Sequence, residues 1–547
     1  MPPYVKSFFA VTLVFTFAGS VFAADESVAE ALTLRLQALT ETPDATIEGV
    51  PLLAGPLVAD FYARRDLEPA WTRKRQIDEM LSIIEGVGDD GLDPDDFPLS
   101  QLRALRADAA AGSAFAAAGL DLLLTESLAR YGYQLAFGKV DNRRLDPNIN
   151  FRRELSDDED PAVTIQQAID SPSLREFLAA EFPFGPVYHR LREALVEHRD
   201  IADAGGWPSV PAGATLKPGE TDSRVAPLRL RLAATGDLPA GAPTQGDLYD
   251  GDVEVGVRTF QRRHSLDVDG AVGPATLEAL NIPVERRIDQ IRLSLERLRW
   301  VQAEIADEVV IVNIAGFRAF LVRDRKIDWV TRVMVGKQYR QTPVFRGDIR
   351  YLEMNPTWTI PPGILRNDTL PAIKRDPNYL TDRNISVIDR DGRKVDPASV
   401  DWTQYTRGVP YTLRQEPGPN NALGTIKFIF PNEHFVFLHD TPSRYLFDRA
   451  ERAFSSGCIR VEDPLKLAEL LLDDSKKWDR AALQKKIDGG VTERVYLDEP
   501  VPVLIIYLTA AVGQDDRIRF VKDIYERDAK LLDALNEPVA VVLPGST

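Results

Sequence analysis

The spacing of apolar residues changes from a helical to a strand-like period near the middle of this chain. Residues 27–203 place apolar side chains three and four positions apart, as in Leu120–Leu128, which gives each helix an apolar face. After residue 305 the apolar residues come in short β-branched or aromatic runs separated by Gly, Pro and Asn. These runs are Val309–Ile314, Phe317–Val322, Val330–Val335, Lys427–Phe430 and His434–His439. The sequence therefore predicts a multidomain α+β protein with a helical N-terminal part and a mainly antiparallel β-domain.

Composition excludes several classes of protein. At 547 residues the chain has room for about three or four domains. Its 44% apolar and 27% charged residues fit a globular protein and disfavour disorder or a polytopic membrane protein. The net charge of −17 makes nucleic acid a poor partner. The single cysteine, Cys458, excludes disulfides and multi-thiolate metal sites, and the five histidines lack ligand spacing, so we expect no metal and no cofactor.

The N-terminus has the layout of an export signal. Lys6 precedes an apolar run, Phe8–Phe22, and small residues follow at Ala23 and Ala24. This pattern predicts a cleaved signal peptide over residues 1–24. The alternative is an uncleaved helix that anchors the chain, although the run is shorter than the roughly 20 residues of a membrane span. Both interpretations predict an exported protein.

Composition and periodicity also divide the rest of the chain. A stretch rich in Gly, Pro and Ala, residues 204–221, predicts a linker after the helical domain. A polar, irregular stretch of the β-domain predicts an inserted lid, because long excursions inside compact domains are usually functional. The predicted parts are a helical scaffold at 27–203, a compact unit at 222–282, a β-domain at 305–512 with a lid at about 376–408, and a C-terminal helix (Val521–Leu535) and tail at 513–547.

The compact unit combines two amphipathic helices. Val225, Leu228 and Leu232 share one helical face, and a second face runs from Val253 to His264. The unit resembles the three-helix peptidoglycan-binding module, and the motifs are Tyr249-Asp250-Gly251, Phe260-Gln261, Asp269-Gly270, Val272-Gly273 and Thr276-Leu277. The alternative is a helical spacer that binds nothing. His264 completes an apolar face, which favours a packed histidine over a metal ligand.

Cys458 and His439 are the residues best suited to chemistry. A thiolate nucleophile needs a nearby base or cation, and only His434 and His439 share the β-domain with the cysteine. Strand alternation turns these two rings to opposite faces, and His439, at the strand end, is the one expected to face the thiol. Gly457 permits a tight turn beside the nucleophile and close approach of an oxyanion to the backbone.

At these residues the chain resembles a known family. His439-Asp440-Thr441-Pro442 and Ser455-Ser456-Gly457-Cys458-Ile459-Arg460 look like the active-site signature of L,D-transpeptidases with a YkuD-type catalytic domain. The longer match is similar to the large, multidomain YcbB-like branch. Its supporting stretches are Val335-Gly336-Lys337, Gln341-Thr342-Pro343, Asn355-Pro356-Thr357-Trp358, Ile360-Pro361-Pro362, Asn420-Asn421-Ala422-Leu423-Gly424, Lys427-Phe428, and the region of Tyr507, Asp523 and Tyr525. Ser456 stands where shorter family members often carry a histidine.

The resemblance implies peptidoglycan crosslinking in the periplasm, in association with the cell wall, or at the inner membrane if the N-terminal helix is retained. Cys458 would form a thioester with a tetrapeptide donor stem, and the side-chain amine of a diamino acid on a second stem would resolve it as a 3→3 crosslink. Because Asp440 is expected on the other face of the strand, we predict that a backbone carbonyl orients the ring of His439. The resemblance also implies inhibition by carbapenems that acylate Cys458.

Stem peptides carry carboxylates, so arginines near the thiol are candidates for binding them. Arg460 matches the family motif and is the best candidate for contacting a carboxylate or supporting the thiolate loop. Further candidates for substrate contact, each with a purely structural alternative, are Ser456, Trp358, Asn421, Arg452 and Tyr445.

Three other activities fit the same residues. Water could discharge the thioester, giving an L,D-carboxypeptidase, or the site could attach a lipoprotein to peptidoglycan or cleave such a link. In a different class, the chain could be a structural wall-binding protein with an inert catalytic domain. The presence of both Cys458 and His439 argues against this last interpretation.

Overall fold

The computed structural model describes residues 27–41, 46–156 and 158–539. The predicted signal peptide, residues 1–24, lies outside the described residues. Among the described helices, none combines the length and the apolar character needed to cross a bilayer.

The N-terminal part is helical, as the apolar spacing predicts, and is built around one buried helix. Two carboxylates on that helix fix the surrounding loops: Asp121 accepts hydrogen bonds from the backbone amides of Ala70 and Trp71, and Glu126 accepts from Ala54. The elements are α1 (Val28–Glu41), the hairpin β1 (Thr46–Ile47) and β2 (Val50–Pro51), α2 (Gly55–Ala63), α3 (Lys74–Glu85), α4 (Leu99–Ala110), the central α5 (Ala114–Phe137), α6 (Asn142–Leu145), α7 (Pro161–Asp170), α8 (Leu174–Glu181) and α9 (Pro186–Asp203).

The compact unit contains α10 (Val225–Ala234), α11 (Gly251–Arg263) and α12 (Pro274–Leu280). The apolar faces predicted for its first two helices are buried in one core with Tyr249. Val210 and Leu216 from the predicted linker lie in the same core, and Val210 exchanges hydrogen bonds with Asn281. The stretch 204–221 is therefore packed onto the unit and is not a free spacer. His264 is buried and stacks on Phe260.

A long helix that the sequence analysis missed, α13 (Val284–Val301), connects the compact unit to the β-domain and packs against α9. Its buried Glu296 accepts hydrogen bonds from the amide of Val140 at 2.7 Å and from the indole of Trp300 at 3.0 Å, and it pairs with Arg299. Charged residues on the buried face hide the helical period of this segment, which explains why apolar spacing alone does not predict it.

The β-domain is one large mixed sheet with antiparallel pairs in the majority. Its strand order is β13-β5-β14-β12-β11-β6-β15-β3-β4, and β4 also pairs with β5, so the sheet closes on itself. The strands of this sheet are β3 (Glu308–Asn313), β4 (Arg318–Arg323), β5 (Lys326–Gly336), β6 (Phe345–Met354), β11 (Ile426–Ile429), β12 (Leu438–His439), β13 (Ala453–Ser455), β14 (Ile459–Val461) and β15 (Glu493–Ile506). They are numbered in chain order, and the strands of the segment between β6 and β11 are β7 (Trp358–Thr359), β8 (Ile385–Ile388), β9 (Lys394–Val395) and β10 (Thr412–Gln415).

The sheet has one apolar face and one polar face. Side chains such as Val333, Leu352, Phe428, Leu438 and Ile459 point into the core. The helices α17 (Pro464–Leu472) and α18 (Arg480–Asp488) pack against this apolar core. The three helices that precede them in the chain lie in the segment between β6 and β11: α14 (Pro362–Ile364), α15 (Leu370–Arg375) and α16 (Tyr379–Asp382). Alternate residues on the same strands therefore project onto the opposite face.

The segment between β6 and β11 forms a small subdomain with its own core. The strands β7, β10, β8 and β9 form a sheet, and the core includes Ile360, Leu370, Val387 and Leu413. The stretch 376–408, predicted to be irregular, is the middle of this larger unit. Its apolar residues are few and are separated by polar, Gly and Pro residues into groups of one or two, which is why the sequence suggested a loop.

The C-terminal prediction is partly wrong. The expected helix from Val521 to Leu535 begins only at Asp528, as α19 (Asp528–Asn536). The residues before it form a hairpin of β16 (Ala510–Val512) and β17 (Ile518–Phe520), and the amide of Val521 donates to the carbonyl of Thr509. Its apolar side chains pack against α9 and α13, so tertiary contacts determine the local structure there.

Candidate active site

One row of side chains crosses the polar face of the sheet. In register, Arg460 of β14 lies opposite His439 of β12, His439 opposite Lys427 of β11, and Lys427 opposite Glu353 of β6. Directly opposed residues in neighbouring strands point to the same face. This places a histidine, two cations and a carboxylate in one line, and Cys458 immediately precedes β14 at one side of it.

Cys458 is half-buried, and its thiol lies near backbone groups of the preceding loop. Sγ is 3.7 Å from the carbonyl oxygen of Phe435, and within the described residues no hydrogen bond joins it to the ring of His439. Burial raises the pKa of the Cys458 thiol, against the opposing effects of the Phe437 backbone and of the nearby cations Lys427 and Arg460. The thiol is therefore neutral at neutral pH in this structure.

His439 is buried and held by a backbone carbonyl, which confirms the predicted mode of orientation. Its Nδ1 donates to the carbonyl oxygen of Asp440 at 2.6 Å. Burial and the neighbouring charges of Arg460 and Lys427 lower the pKa of His439 to about 3, although the carbonyls of Asp440 and Leu423 oppose the shift. The ring is thus neutral with the proton on Nδ1, which leaves Nε2 unprotonated and able to accept a proton.

The strand predicted for His434–His439 is present only at its end. Phe435 is exposed with φ of +54°, and the amides of His434 and Val436 both donate to the side chain of Asn432. This turn brings the carbonyl of Phe435 to the thiol. The alternation argument therefore holds for Leu438 and His439 and fails before them.

The turn that carries the nucleophile depends on glycine. Gly457 has φ of +117°, in a region that side chains other than glycine rarely adopt. Its amide donates to the hydroxyl of Ser455 at 3.1 Å, and its carbonyl accepts from Thr342 Oγ1 at 2.8 Å. The amide of Gly457 is thus occupied, whereas that of Cys458 has no hydrogen-bond acceptor among the described residues.

Residues from the C-terminal segment support this turn from behind. The hydroxyl of Tyr525 donates to the carbonyl of Gly336 at 2.6 Å and accepts from the amide of Thr342 at 3.1 Å. The hydroxyl of Tyr507 in turn accepts from the amide of Tyr525 and donates to Asp523. A chain of hydrogen bonds therefore runs from the C-terminal segment to the nucleophile turn.

Two of the predicted binding residues line the site. Arg460 shares the polar face with His439, and its buried Nε has no hydrogen-bond partner in the described structure. Ser456 is exposed beside the thiol, and its hydroxyl accepts from Arg340 at 2.9 Å. Arg340 also pairs with Asp368 of the inserted subdomain at 2.7 Å, so it connects that subdomain to the nucleophile turn.

The other predicted binding residues have internal roles or lie further away. Trp358 is half-buried against the core of the inserted subdomain. The amide of Asn421 is buried and bonded to backbone groups of Pro356 and Leu423, so it organises its own loop. Arg452 is buried and donates to backbone carbonyls, including that of Val333. Tyr445 is exposed on the loop after β12.

Sequence reasoning assigned no role in the site to Lys427 or Arg340. Lys427 stands between Ile426 and Phe428, which are both buried, so strand alternation predicts that it faces away from the core toward His439. That signal was available in the sequence. Arg340 lies on a short turn before β6, and its partners come from segments distant in sequence, so no local pattern indicates its position.

Comparison with known families assigns three segments. A model described as "L,D-transpeptidase catalytic domain" matches residues 307–496 and includes Cys458 and His439. This chain contains a YkuD-family L,D-transpeptidase domain. A "Scaffold domain" model matches residues 56–195, and a "Putative peptidoglycan binding domain" model matches residues 221–280.

Known proteins support the assignment of the L,D-transpeptidase domain. A "Putative L,D-transpeptidase" from Haemophilus influenzae is 37% identical over 222 residues, which cover 41% of this chain and 45% of that protein. The match thus spans about half the length of this curated relative.

Two solved structures are also similar. An L,D-transpeptidase fragment from Xylanimonas cellulosilytica is 15% identical (54% of this chain and 98% of that chain covered, TM-score 0.17). A fused Zn-dependent amidase/peptidase/peptidoglycan-binding domain-containing protein from Clostridium acetobutylicum is 12% identical (54% and 100% covered, TM-score 0.15). At these TM-scores neither adds to the assignment of the fold.

Proposed function

We propose that the protein is an exported L,D-transpeptidase that forms 3→3 peptidoglycan crosslinks through a thioester on Cys458. The observation that carries the proposal is the placement of the half-buried Cys458 directly before β14, the strand that pairs with β12, where Nδ1 of His439 is held by a carbonyl and Nε2 is unprotonated. This arrangement, within a YkuD-family domain, supports nucleophilic acyl transfer with His439 as the base.

The first step forms the thioester. As the donor tetrapeptide binds, a rotation of Cys458 brings Sγ to Nε2 of His439, which takes the thiol proton. Sulfur attacks the carbonyl of the third residue, a diamino acid, and the amide of Cys458 donates to the developing oxyanion. The C–N bond breaks, the leaving amine takes the proton from His439, and D-alanine is released.

The second step transfers the acyl group to an amine. The side-chain amine of a diamino acid on a second stem attacks the thioester carbonyl while His439 removes a proton. The C–S bond breaks and sulfur regains its proton, so Cys458 returns as a thiol. One amide has replaced another, and the reaction therefore needs no external energy source and no cofactor.

The inserted subdomain is proposed to act as a lid. It connects to the nucleophile turn through Arg340, which contacts both Asp368 and Ser456. Closing an active site excludes water, and water competes with the amine for the thioester. A closed lid would thus favour crosslinking over hydrolysis.

The remaining domains are proposed to bring the enzyme to its substrate. The three helices α10, α11 and α12 form a module whose family model carries a peptidoglycan-binding description, and we propose that it binds the cell wall in the periplasm. The helical domain would hold this module and the catalytic domain together. Carbapenems are proposed inhibitors, because their strained amide can acylate Cys458.

Incubation with a defined disaccharide-tetrapeptide tests the proposal. We expect mass spectrometry to detect free D-alanine and a dimer joined between two diamino acids. Cys458→Ala should abolish both products, and His439→Gln should slow them by about 10²- to 10⁴-fold. Trimmed monomer without dimer would instead identify an L,D-carboxypeptidase, and unchanged activity of Cys458→Ala would refute the assigned nucleophile.

A further inference from the structure

Two cations beside the nucleophile form no close ion pair within the described residues. Lys427 and Arg460 flank His439 in register on the polar face, and both are at least half-buried. Glu353, opposite Lys427, opposes the lowering of the pKa of Lys427 but lies beyond ion-pair distance of its ammonium group. The carboxylate of Glu353 lies 3.6 Å from Nε of Arg494.

The side chains of Lys427 and Arg460 also donate no hydrogen bond within the described residues, and Nε of Arg460 is buried without a partner. Other buried arginines are satisfied in one of two ways. Arg229, Arg263 and Arg299 pair with carboxylates. Arg231, Arg287 and Arg452 have no acidic partner but donate to backbone carbonyls. A buried charge with neither a counter-ion nor a hydrogen bond is unfavourable. Two such cations lie together at the nucleophile, which points to an anionic ligand that arrives from outside.

The position of the ammonium group of Lys427 fits such a ligand. Its Nζ lies 3.8 Å from the centre of the Phe437 ring. Phe437 is adjacent to the nucleophile turn, because its carbonyl accepts from the amide of Ile459. Lys427 is also close enough to the nucleophile for its charge to oppose the rise in the pKa of the Cys458 thiol. Arg460, two residues after Cys458, lies on the opposite side of His439 from Lys427.

We propose that Lys427 and Arg460 form a carboxylate site that binds the free terminal carboxylate of the residue released from the donor stem. This inference rests on the proposed function. In such a donor the carboxylate carbon is only three bonds from the carbonyl that sulfur attacks, so both groups fit between one cation and the nucleophile. A donor whose last residue is amidated or extended by another residue lacks this charge at that position. Lys427 would thus determine which stems are used as donors.

The first test compares two donors that differ in one group. Cys458 acylation is measured by intact-protein mass spectrometry with a disaccharide-tetrapeptide and with the same molecule carrying a terminal carboxamide. We expect the parent enzyme to prefer the acid by about tenfold or more and Lys427→Met to lose that preference, so that the ratio of its two rates approaches one. Lys427→Arg should retain the preference, and Lys326→Met, which changes an exposed lysine, should match the parent. An equal loss with both donors would overturn the proposal.

The second test is independent of crosslinking. Cys458 is the only thiol, so alkylation reports on this site alone. Its rates with iodoacetate and with iodoacetamide are compared; in each reaction sulfur forms a C–S bond and iodide leaves. We expect Lys427→Met to lower the ratio of the anionic to the neutral reagent by about fivefold. An unchanged ratio would refute the carboxylate site. A ratio that falls as expected, with no acylation by any stem, would retain the site and refute the proposed function.

Discussion

The hydroxyl of Tyr525 donates to the carbonyl of Gly336, and this bond joins two parts of the chain that are 189 residues apart. Gly336 ends β5, and its amide donates to the hydroxyl of Thr342, which in turn donates to the carbonyl of Gly457. Tyr525 lies beyond residue 496, where the match to the catalytic-domain family ends. The geometry of the nucleophile turn therefore depends on a segment outside that match.

Replacing Tyr525 with phenylalanine should lower both activity and stability. The change leaves the carbonyl of Gly336 and the amide of Thr342 without their partner, which costs about 1–3 kcal/mol. We expect carbapenem acylation of Cys458 to slow by about tenfold. Tyr133→Phe is the control, because the hydroxyl of Tyr133 has no hydrogen bond among the described residues. Equal acylation rates for the two variants would show that the hydrogen bonds of Tyr525 do not affect the nucleophile.

The pH dependence of alkylation should follow the thiol alone. Burial raises the pKa of Cys458 and lowers the pKa of His439 to about 3, so neither group is charged at pH 7. With iodoacetamide we expect the rate to rise about tenfold per pH unit between pH 6 and 8, since only the thiolate reacts. A plateau extending down to pH 5 would instead indicate a resting thiolate–imidazolium pair. His439→Gln should keep the shape of the profile while losing crosslinking.

The same shift in His439 makes stability depend on pH. Its pKa is depressed in the folded state, so the unfolded chain binds more protons and stability falls as the pH decreases below about 6.5. This residue should contribute a loss of about 2 kcal/mol between pH 7 and pH 5. The measurement is denaturant unfolding of the parent and of His439→Gln at both values. Equal losses in the two proteins would contradict the assigned neutral, buried ring.

Local patterns predicted the elements that form from contiguous residues. The apolar runs near Val309 and Val330 form β3 and β5, and strand alternation, which turns Asp440 away from His439, predicted that a backbone carbonyl orients the ring of His439. Predictions failed where tertiary contacts decide the structure. The backbone turns at Phe435 because the side chain of Asn432 accepts hydrogen bonds from two amides ahead of β12. Val521 continues the pairing of the C-terminal hairpin through its amide, although the sequence around it favours a helix.

The site itself could be predicted only in part. Cys458 and His439 could be predicted because the β-domain contains only one thiol and two histidines in its sequence, which leaves few candidates for a nucleophile and its base. A role for Lys427 could be predicted only with the strand register, because the residue matters through its position opposite His439. The contacts of Arg340 join segments 28 and 116 residues away and are not encoded in any local spacing.

Gly457 should not tolerate a side chain, for conformational reasons rather than lack of space. An added Cβ would meet its nearest atom, the carbonyl oxygen of Gln341, at 3.6 Å, but the φ of +117° is strained for alanine. We expect Gly457→Ala to shift the turn and lower the acylation rate of Cys458 by about tenfold or more, for about 1–3 kcal/mol of strain. Gly363→Ala is the control, because that glycine is exposed and has open space around it. An active Gly457→Ala variant would mean that the turn can relax without moving sulfur.

The connection through Arg340 predicts a change in how the thioester is used. Arg340→Met removes the contacts to both Asp368 and Ser456, which frees the inserted subdomain from the nucleophile turn. Water should then reach the acyl-enzyme more often, because exclusion of water depends on closure over the site. We expect the ratio of crosslinked dimer to trimmed tripeptide to fall by about threefold while the rate of D-alanine release stays within about twofold. Arg366→Met changes an exposed arginine of the same subdomain whose hydrogen bond is to its neighbour Asn367, so its product ratio should equal that of the parent. If Arg340→Met leaves the ratio unchanged, the subdomain does not protect the thioester from water. The choice between amine and water must then depend on how the enzyme binds the acceptor stem.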